Sequence, residues 1–384
     1  MNNLKNKFGD SFFKNHFRKN YLYRQNFLDN FENMMSLVIL DEMLSKTNIW
    51  NNYNFIMMLD QKRINYNDYS SLSLDTNGQN YRPDVGKVQK LVSRGASIIL
   101  NDIQKHNVNL LNFVDQLQKM TNGRCQGNLY FSMASHQAFG PHFDLHDVFA
   151  IHFEGEKVWN IYENIEKSPI NHPAFKLSGD ERSKRAGRII EQVTLKPGDL
   201  LYIPRGQYHD ALASKNGAIH IAFGLTYFKS IDAITSLWEN FVLNEFMRTD
   251  ININPNKDEL QNFLKNLSNE LTSLINSKEA LDVVTNAIHD WTYEMKGYSI
   301  KNIVSVGPTY LIDNSIKLKI KENKTYLISP KGSVQVPEKF KDIIEYILKQ
   351  ETLNEKNLRD QFKRTSGNII SECLDSLKNM NVIK

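Results

Sequence analysis

The sequence predicts an α+β protein in which a double-stranded β-helix, or jelly roll, lies between helical segments. Two changes of pattern predict this fold. Between about Asn128 and Phe228 the chain consists of short β-rich runs separated by Gly, Pro and charged turns, a spacing typical of a double-sheet barrel. Before and after that region, apolar side chains recur at helical spacing. The runs that predict strands are residues 128–135, 147–155, 157–163, 191–195, 199–204 and 219–228.

These changes divide the chain into four parts. Residues 1–124 are expected to be mainly helical and to support the barrel, which occupies residues 125–229. In residues 230–298, apolar side chains recur at helical spacing, and they need not be covered by the barrel. This segment therefore predicts a helical arm that forms a homodimer. In residues 299–384, apolar and polar side chains alternate on both sides of "KENK", which predicts a hairpin. Three short helices are predicted to follow it. That order resembles a winged helix.

Within the N-terminal part, helical spacing covers residues 25–46 and 85–122, with an interruption near Gly95. We expect helices in both stretches. After the barrel, the predicted helices are residues 232–249, 257–277 and 278–295.

The composition excludes several classes of protein. The 47 Lys and Arg against 43 Asp and Glu leave a net charge of +4, which points to neither a nucleic-acid stripe nor a membrane-binding face. Cys125 and Cys373 lie far apart and outside any CxxC pair, so a disulfide framework and a thiolate zinc site are both disfavoured. The N-terminus lacks a signal-peptide core, and no apolar run is long enough to span a membrane. We expect a soluble protein of the reducing cytoplasm.

Residues 331–384 bear on nucleic-acid binding, because a winged helix often binds DNA. They hold ten Lys and Arg against eight Asp and Glu, with the signs interspersed. Charge therefore disfavours nucleic-acid binding without excluding it, and protein contact is the preferred role.

The stretch "GPHFDLHDVF", residues 140–149, carries the candidate chemistry. His142 and Asp144 are two residues apart, so in an extended strand both project from one face. His209, after the turn "IPRG", is a third candidate, and the three would form the 2-His-1-carboxylate triad that holds iron(II) with positions left open. The pair alone is a weak motif, because about one H-x-[DE] is expected by chance in this composition. A hydrogen-bonded pair at a sheet edge remains the alternative.

Three motifs occur together: H-x-D at 142–144, E-G-x-K-x-W at 154–159, and P-G-D-x-L-Y-I-P-R-G-x-x-H at 197–209. Because these motifs follow one another in this order, the chain resembles the bacterial cupin-like JmjC proteins related to the ribosomal oxygenases. The likeness runs from about Arg94 to Tyr227, and the two C-terminal parts follow the family more loosely, by order of elements.

The resemblance implies roles for individual residues. His142, Asp144 and His209 would be the iron ligands, and Lys157 would pair with the distal carboxylate of 2-oxoglutarate. A solvated turn lysine is the alternative for Lys157. The family positions that line the cosubstrate pocket correspond here to Asn128, Tyr130 and His220. An equally good alternative is that these polar residues are hydrogen-bonded inside the barrel without contacting the cosubstrate.

His146 and Asp147 belong to the same family pattern without being ligands. His146 shares strand parity with His142 and is expected near the mouth of the pocket. Asp147 is expected to anchor a turn or a substrate contact.

The resemblance implies an Fe(II)- and 2-oxoglutarate-dependent hydroxylase acting on a side chain of a protein or peptide, either a ribosomal protein or a ribosomally made peptide. Two alternatives stay open: a cupin-type metal enzyme that does not use 2-oxoglutarate, and a non-catalytic protein-binding module. Residues 163–190 form a long polar insertion that would be a lid or a peptide-docking edge, and His172 within it is expected to be a loop residue.

Overall fold

The computed structural model describes residues 4–75, 78–133, 136–214, 217–291, 309–313, 315–322, 324–329, 332–350 and 352–383. The chain divides into two compact units, residues 1–297 and 298–384. The boundary expected at 298/299 and the end of the helix expected over 278–295 lie outside the described residues. In the described part of the chain, no helix is both long and apolar enough to cross a membrane.

The first unit is built on two sheets that pack face to face. Its strands are β1 (Leu22–Arg24), β2 (Phe55–Leu59), β3 (Lys62–Arg63), β4 (Ser70–Asp75), β5 (Gly78–Pro83), β6 (Ser97–Leu100), β7 (Arg124–Ser132), β8 (Asp147–Glu154), β9 (Lys157–Ile165), β10 (Ile189–Leu195), β11 (Leu200–Ile203), β12 (Gln207–Ala213) and β13 (Ala218–Thr226). The major sheet has eight strands in the order β1-β11-β8-β13-β7-β6-β2-β3, and the minor sheet has three in the order β10-β9-β12. Strands β4 and β5 form a separate hairpin.

The helices of this unit flank the sheets. They are α1 (Leu4–Phe8), α2 (Asp10–Asn15), α3 (Leu37–Leu44), α4 (Tyr66–Tyr69), α5 (Val85–Val92), α6 (Val108–Thr121), α7 (Gly179–Ala186), α8 (Ser230–Ser236), α9 (Trp238–Leu243), α10 (Lys257–Ile275) and α11 (Lys278–Trp291).

Strand β8 shows how the core is divided. Its odd-numbered side chains, such as Phe149 and Ile151, pack against the N-terminal helices, where the Phe8 ring meets Phe149 edge-on at 5.4 Å between centroids. Its even-numbered side chains, such as Val148, join a second core with Trp159 of the minor sheet. Because side chains alternate along a strand, the even-numbered residues of β8 point into the barrel.

Two expectations for the N-terminal part are wrong. Residues 97–100 form strand β6, which pairs with both β2 and β7 and is buried along its whole length. A short run that is apolar at every position cannot be distinguished from a buried helix by periodicity. Helix α5 ends at Val92, and Gly95 adopts a φ of +98°, which separates it from the strand.

Within residues 25–46, the only α-helix is α3 (Leu37–Leu44). Asn26 and Asn30 adopt left-handed backbone angles, φ 48° and 54°, which no α-helix accommodates. The helix starts after Ser36, whose hydroxyl accepts a hydrogen bond from the backbone N–H of Ile39. The N-terminal part is thus mixed, not mainly helical.

The second unit has its own core. Its strands are β14 (Thr309–Leu311), β15 (Lys317–Lys321), β16 (Lys324–Ser329), β17 (Gly332–Gln335) and β18 (Thr352–Asn354), and its helices are α12 (Lys341–Ile347), α13 (Glu355–Gln361) and α14 (Gly367–Asn379). Strands β15 and β16 are an antiparallel pair, which confirms the predicted hairpin, and three helices follow it as expected. Side chains such as Leu327, Ile347 and Leu377 make the core.

Candidate metal site and adjoining pocket

The backbone brings the candidate ligands together from two separate segments. The N–H of His142 donates to the carbonyl of His209 at 3.0 Å, and the N–H of His209 donates back to the carbonyl of His142 at 2.8 Å. A third bond runs from the Gly206 N–H to the Asp144 carbonyl at 3.0 Å. The segment before β8 is thereby fixed antiparallel to the start of β12, in the other sheet.

The three side chains converge as a result. One ligand atom from each of His142, Asp144 and His209 lies within 4.8 Å of the others. The His209 Nε2 lies 3.5 Å from Asp144 Oδ2. Two imidazoles and one carboxylate on one side of a cavity are the donor set of a facial triad, which suits iron(II).

Hydrogen bonds fix which nitrogen of each imidazole faces the site. The Nδ1 of His142 lies 2.9 Å from the carbonyl of Gly140, and the Nδ1 of His209 lies 2.9 Å from the carbonyl of Gln207. Since a carbonyl only accepts, each Nδ1 must carry the proton, and each Nε2 keeps a lone pair for a metal ion.

Protonation also favours metal binding. Burial lowers the pKa of His209 to about 4, which keeps its imidazole neutral at pH 7. Burial opposes the charge of Asp144, but the neighbouring His146, His209 and His142 lower the pKa of its carboxyl overall. Neutral imidazoles and an ionised carboxylate are the forms that bind a metal ion.

Lys157 lies at the start of β9 and is 4% exposed. Its ammonium donates to the Ser132 hydroxyl at 2.8 Å and lies 3.0 Å from the Nδ1 of His220. Burial lowers the pKa of Lys157 to about 7. No carboxylate of the described residues forms an ion pair with it. A buried ammonium held only by neutral groups is suited to receive the carboxylate of a ligand.

The triad and Lys157 line the same cavity. Four of the side chains that line it are alanines. The residues that line it are Tyr130, Ser132, His136, Ala138, Phe139, His142, Asp144, Val148, Lys157, Trp159, His209, Ala211, Ala213, His220 and Ala222.

Comparisons with known proteins find similarity in this part of the chain. The JmjC domain family matches residues 102–232. The chain contains a JmjC domain. Curated relatives include the bifunctional lysine-specific demethylase and histidyl-hydroxylase NO66 of Dictyostelium discoideum, 30% identical over 214 residues, which are 55% of this chain and 40% of the relative. The protein of the same description from Drosophila persimilis is 30% identical over 192 residues, 50% of this chain and 26% of the relative. The chain spans less than half the length of these relatives.

Among solved structures, the ribosomal oxygenase YcfD of Escherichia coli in complex with cobalt and 2-oxoglutarate is similar, with a TM-score of 0.52, 16% identity and 97% of each chain covered. A second structure of E. coli YcfD gives a TM-score of 0.52 at 17% identity, with 97% of each chain covered. At this identity the likeness shows the fold. The α+β class with a JmjC jelly roll and helical flanks, expected from the sequence, is confirmed.

The other predicted pocket residues divide between two cavities of the JmjC domain. The Tyr130 ring stacks on His220 with centroids 4.7 Å apart, and both line the cavity of the triad. Asn128 lines an adjoining cavity instead, and its Oδ1 accepts from the Asp102 backbone N–H at 3.4 Å. Asn128 and Tyr130 share one face of β7, but a two-residue step of about 6.7 Å along a strand separates their positions.

His146 and Asp147 lie outside the triad. The ring of His146 lines the adjoining cavity and fits against Gly224, where a Cβ would come within 2.2 Å of it. Asp147 is buried and accepts from the backbone N–H of Arg205 at 2.8 Å. It thus anchors the Pro-Arg-Gly turn that leads into β12.

Sequence reasoning missed Ser132 and Trp159. Ser132 follows Tyr130 by two residues on the same face of β7, and Trp159 follows Lys157 by two on β9, so strand parity alone could have placed both inside the barrel. The Trp159 ring stacks on His209 at 5.9 Å between centroids. Strand β12 was also missed, because its polar start, "QYHD", lacks an alternating pattern.

The insertion at 163–190 contains helix α7, whose N-cap Ser178 forms a capping box with Glu181. Ala186 at its end packs against Tyr162 and Tyr208 of the minor sheet. His172 lies apart from the triad and caps a 3-10 turn, with its Nδ1 accepting from the Ala174 N–H at 3.2 Å.

Metal binding should depend on the triad. We expect Asp144→Asn to lower the affinity for cobalt(II) by at least about 100-fold, since even loss of a group that only orients a ligand costs 10–100-fold. Anaerobic calorimetric titration with cobalt(II) measures it. Glu154→Gln, which changes the acid of the other H-x-[DE] pair in the chain, His152 and Glu154 on β8, should leave the affinity unchanged. Equal affinity in Asp144→Asn and the parent chain would exclude the triad.

Proposed function

We propose that this protein is an Fe(II)- and 2-oxoglutarate-dependent oxygenase that hydroxylates an amino-acid side chain of a protein or peptide. One observation carries the proposal: the buried ammonium of Lys157, without a carboxylate partner among the described residues, lines the same cavity as the His-Asp-His triad. A metal centre and a carboxylate receptor in one cavity fit a keto-acid cosubstrate.

His142, Asp144 and His209 would hold iron(II) from one side. With 2-oxoglutarate and dioxygen, this metal supplies oxidative decarboxylation of the cosubstrate to succinate and carbon dioxide together with hydroxylation of a C–H bond. The protein contributes the ligand geometry and the orientation of the cosubstrate.

Lys157 and Ser132 would bind the distal carboxylate. The ammonium neutralises it, and the Ser132 hydroxyl, which accepts from Lys157, can donate its own proton to a carboxylate oxygen. His220 remains a neutral acceptor for Lys157, because burial holds the pKa of its imidazole well below the usual value. Trp159 and His220 are nearly fully buried, so they keep water from this end of the cavity.

The target side chain would enter through the adjoining cavity. Gln126 and Asn128 on β7 and Gly224 on β13 line it, and the same face of β7 continues to Tyr130, which lines the cavity of the triad. Amide side chains suit a polar target. Relatives described as histidyl-hydroxylases and as a ribosomal oxygenase support a protein substrate. The direct test is mass spectrometry for one added oxygen atom on cellular proteins with and without this enzyme.

The helical segment 230–298, which the structure describes up to residue 291, is proposed to form a homodimer. Large apolar side chains on its helices are exposed: Trp238 by 63%, Leu264 by 52% and Leu281 by 66%. Helix α10 has no buried residue although its apolar positions recur on one side. Such a face requires a partner in water.

Two further assignments complete the proposal. The second unit is winged-helix-like, with the hairpin β15–β16 as the wing beside three helices. A cytoplasmic location agrees with the two free, buried cysteines, Cys125 and Cys373.

Lys157→Gln should raise the KM for 2-oxoglutarate at least roughly 30-fold, because losing one partner of a buried charge pair costs about 2 kcal/mol or more. Succinate formation measures it, and cobalt(II) affinity should not change. Lys167→Gln, an exposed lysine in the insertion, serves as the control. Unaltered turnover in Lys157→Gln would favour a cupin-type metal enzyme that does not use 2-oxoglutarate.

Binding of 2-oxoglutarate should weaken as the pH rises. The pKa of Lys157 is lowered to about 7, so the ammonium is present below that pH and is lost above it. We expect the KM to rise by up to about tenfold per pH unit above neutrality, because a proton must be taken up with the ligand. A KM that stays constant across neutral to mildly alkaline pH would show that Lys157 is not the receptor.

The dimer should depend on helix α10. The double change Leu260→Asp and Leu264→Asp places charge on its apolar side, and we expect it to convert a dimer into a monomer at micromolar concentration. Light scattering measures the mass. Asn262→Asp with Asn266→Asp, on the opposite side of the same helix, should leave the dimer intact. A monomeric parent chain would refute the assignment.

A further inference from the structure

The sheet β15–β16–β17 in the second unit has two unlike faces. Leu318 and Leu327 belong to the core side, and Leu327 is only 4% exposed. Because side chains alternate along a strand, Lys317, Lys319 and Lys321 of β15 project from the other face. All three are exposed.

The register adds a fourth lysine to this outer face. Residues directly opposite each other in an antiparallel pair lie on one face, and Lys324 of β16 is paired with Lys321. Tyr326 is paired with Lys319, and on the far side of β16 it is paired with Gln335 of β17. We call this set the lysine face: Lys317, Lys319, Lys321, Lys324, Tyr326, Ile328, Ser333 and Gln335.

Charge on this face has one sign. None of its described residues is acidic, and Glu322 lies in the hairpin turn. The helical side of the same unit differs, because its lysines are matched with acids: Lys339 with Glu372, Lys341 with Glu338, Lys349 with Glu345, and Lys378 with Asp375. The positive charge of the unit is therefore concentrated on the sheet.

Protection of a sheet edge does not account for the pattern. Strand β15 is an edge strand, and lysines there prevent pairing with other chains. Lys324, however, lies on the central strand β16, which has no free edge to protect. The uniform sign calls for a partner that is a regular polyanion.

The spacing and the aromatic ring indicate which polyanion. Alternate residues on a strand are about 6.7 Å apart, close to the repeat between successive phosphates of an extended single strand. The half-buried ring of Tyr326 lies among the lysines and offers a stacking surface for a base. Ser333 and Gln335 add hydroxyl and amide groups that can bind a ribose 2′-hydroxyl. A sheet face with an aromatic ring on its central strand suits unstacked bases and not a duplex groove.

We propose that the lysine face binds single-stranded RNA through its phosphate backbone, with Tyr326 stacking on a base. None of the residues of the lysine face lines the cavity of the triad, and this proposal does not depend on the proposed hydroxylase activity.

The test uses the full chain and a fluorescein-labelled oligouridylate of about 12 nucleotides, within the range that one such surface covers. Fluorescence anisotropy gives the dissociation constant at several salt concentrations. Changing Lys317, Lys319, Lys321 and Lys324 to Gln should raise it at least tenfold. The slope of log affinity against log salt should become shallower by about 3, since each phosphate that the protein no longer neutralises removes about 0.7. The four Lys→Arg changes should retain binding.

The matched control changes Lys339, Lys341, Lys349 and Lys378 to Gln, which removes the same net charge from the helical side. Its affinity should stay within about twofold of the parent, and thermal unfolding verifies that each variant is folded. Equal loss of affinity in both quadruple variants, or unchanged affinity in the first, would overturn the proposal. Equally tight binding of the matching DNA oligonucleotide, or equal competition by polyglutamate, would overturn the assignment to RNA.

Discussion

The reciprocal backbone hydrogen bonds between His142 and His209 are the interaction on which the candidate chemistry depends. They join the segment before β8, in the major sheet, to the start of β12, in the minor sheet. Because each bond involves main-chain atoms, the two imidazoles are set side by side whatever ligand is present. The hydrogen bond from the Gly206 N–H to the Asp144 carbonyl fixes the backbone of Asp144 to the same pair of segments. The triad is thus a consequence of closing the barrel.

The second constraint is electrostatic. Lys157 is buried at the start of β9, held by a hydroxyl and an imidazole that cannot neutralise it. Burial of an unpaired charge is unfavourable, which is why the pKa of this lysine is lowered. A ligand carboxylate beside the ammonium would offset this unfavourable free energy. The cavity is therefore complementary to an anion at Lys157 even without a ligand, while the triad that also lines it is complementary to a cation.

The sequence interpretation succeeded where pattern and local chemistry agree. Strands such as β8 and β13 were anticipated from short apolar runs, and the spacing of His142 and Asp144 placed both on one side of the chain. It failed where burial on both faces removes the periodic signal, as at residues 97–100, and where left-handed asparagines interrupt a helical pattern, as at Asn26 and Asn30. A polar strand such as β12 gives no signal, because its neighbours and not its own residues determine its conformation.

The sequence by itself determined the fold class, most strands of the barrel, the predicted hairpin near the C-terminus and the identity of the chemical groups, because these depend on side-chain type and on spacing along one segment. Only the tertiary structure decided which groups share a cavity. It placed Ser132 beside Lys157 and Asn128 in the adjoining cavity, and it gathered the hairpin lysines on one face of a sheet, away from the ion-paired lysines of the helices. Distances between segments far apart in the chain arise from strand register and packing, which no local pattern encodes.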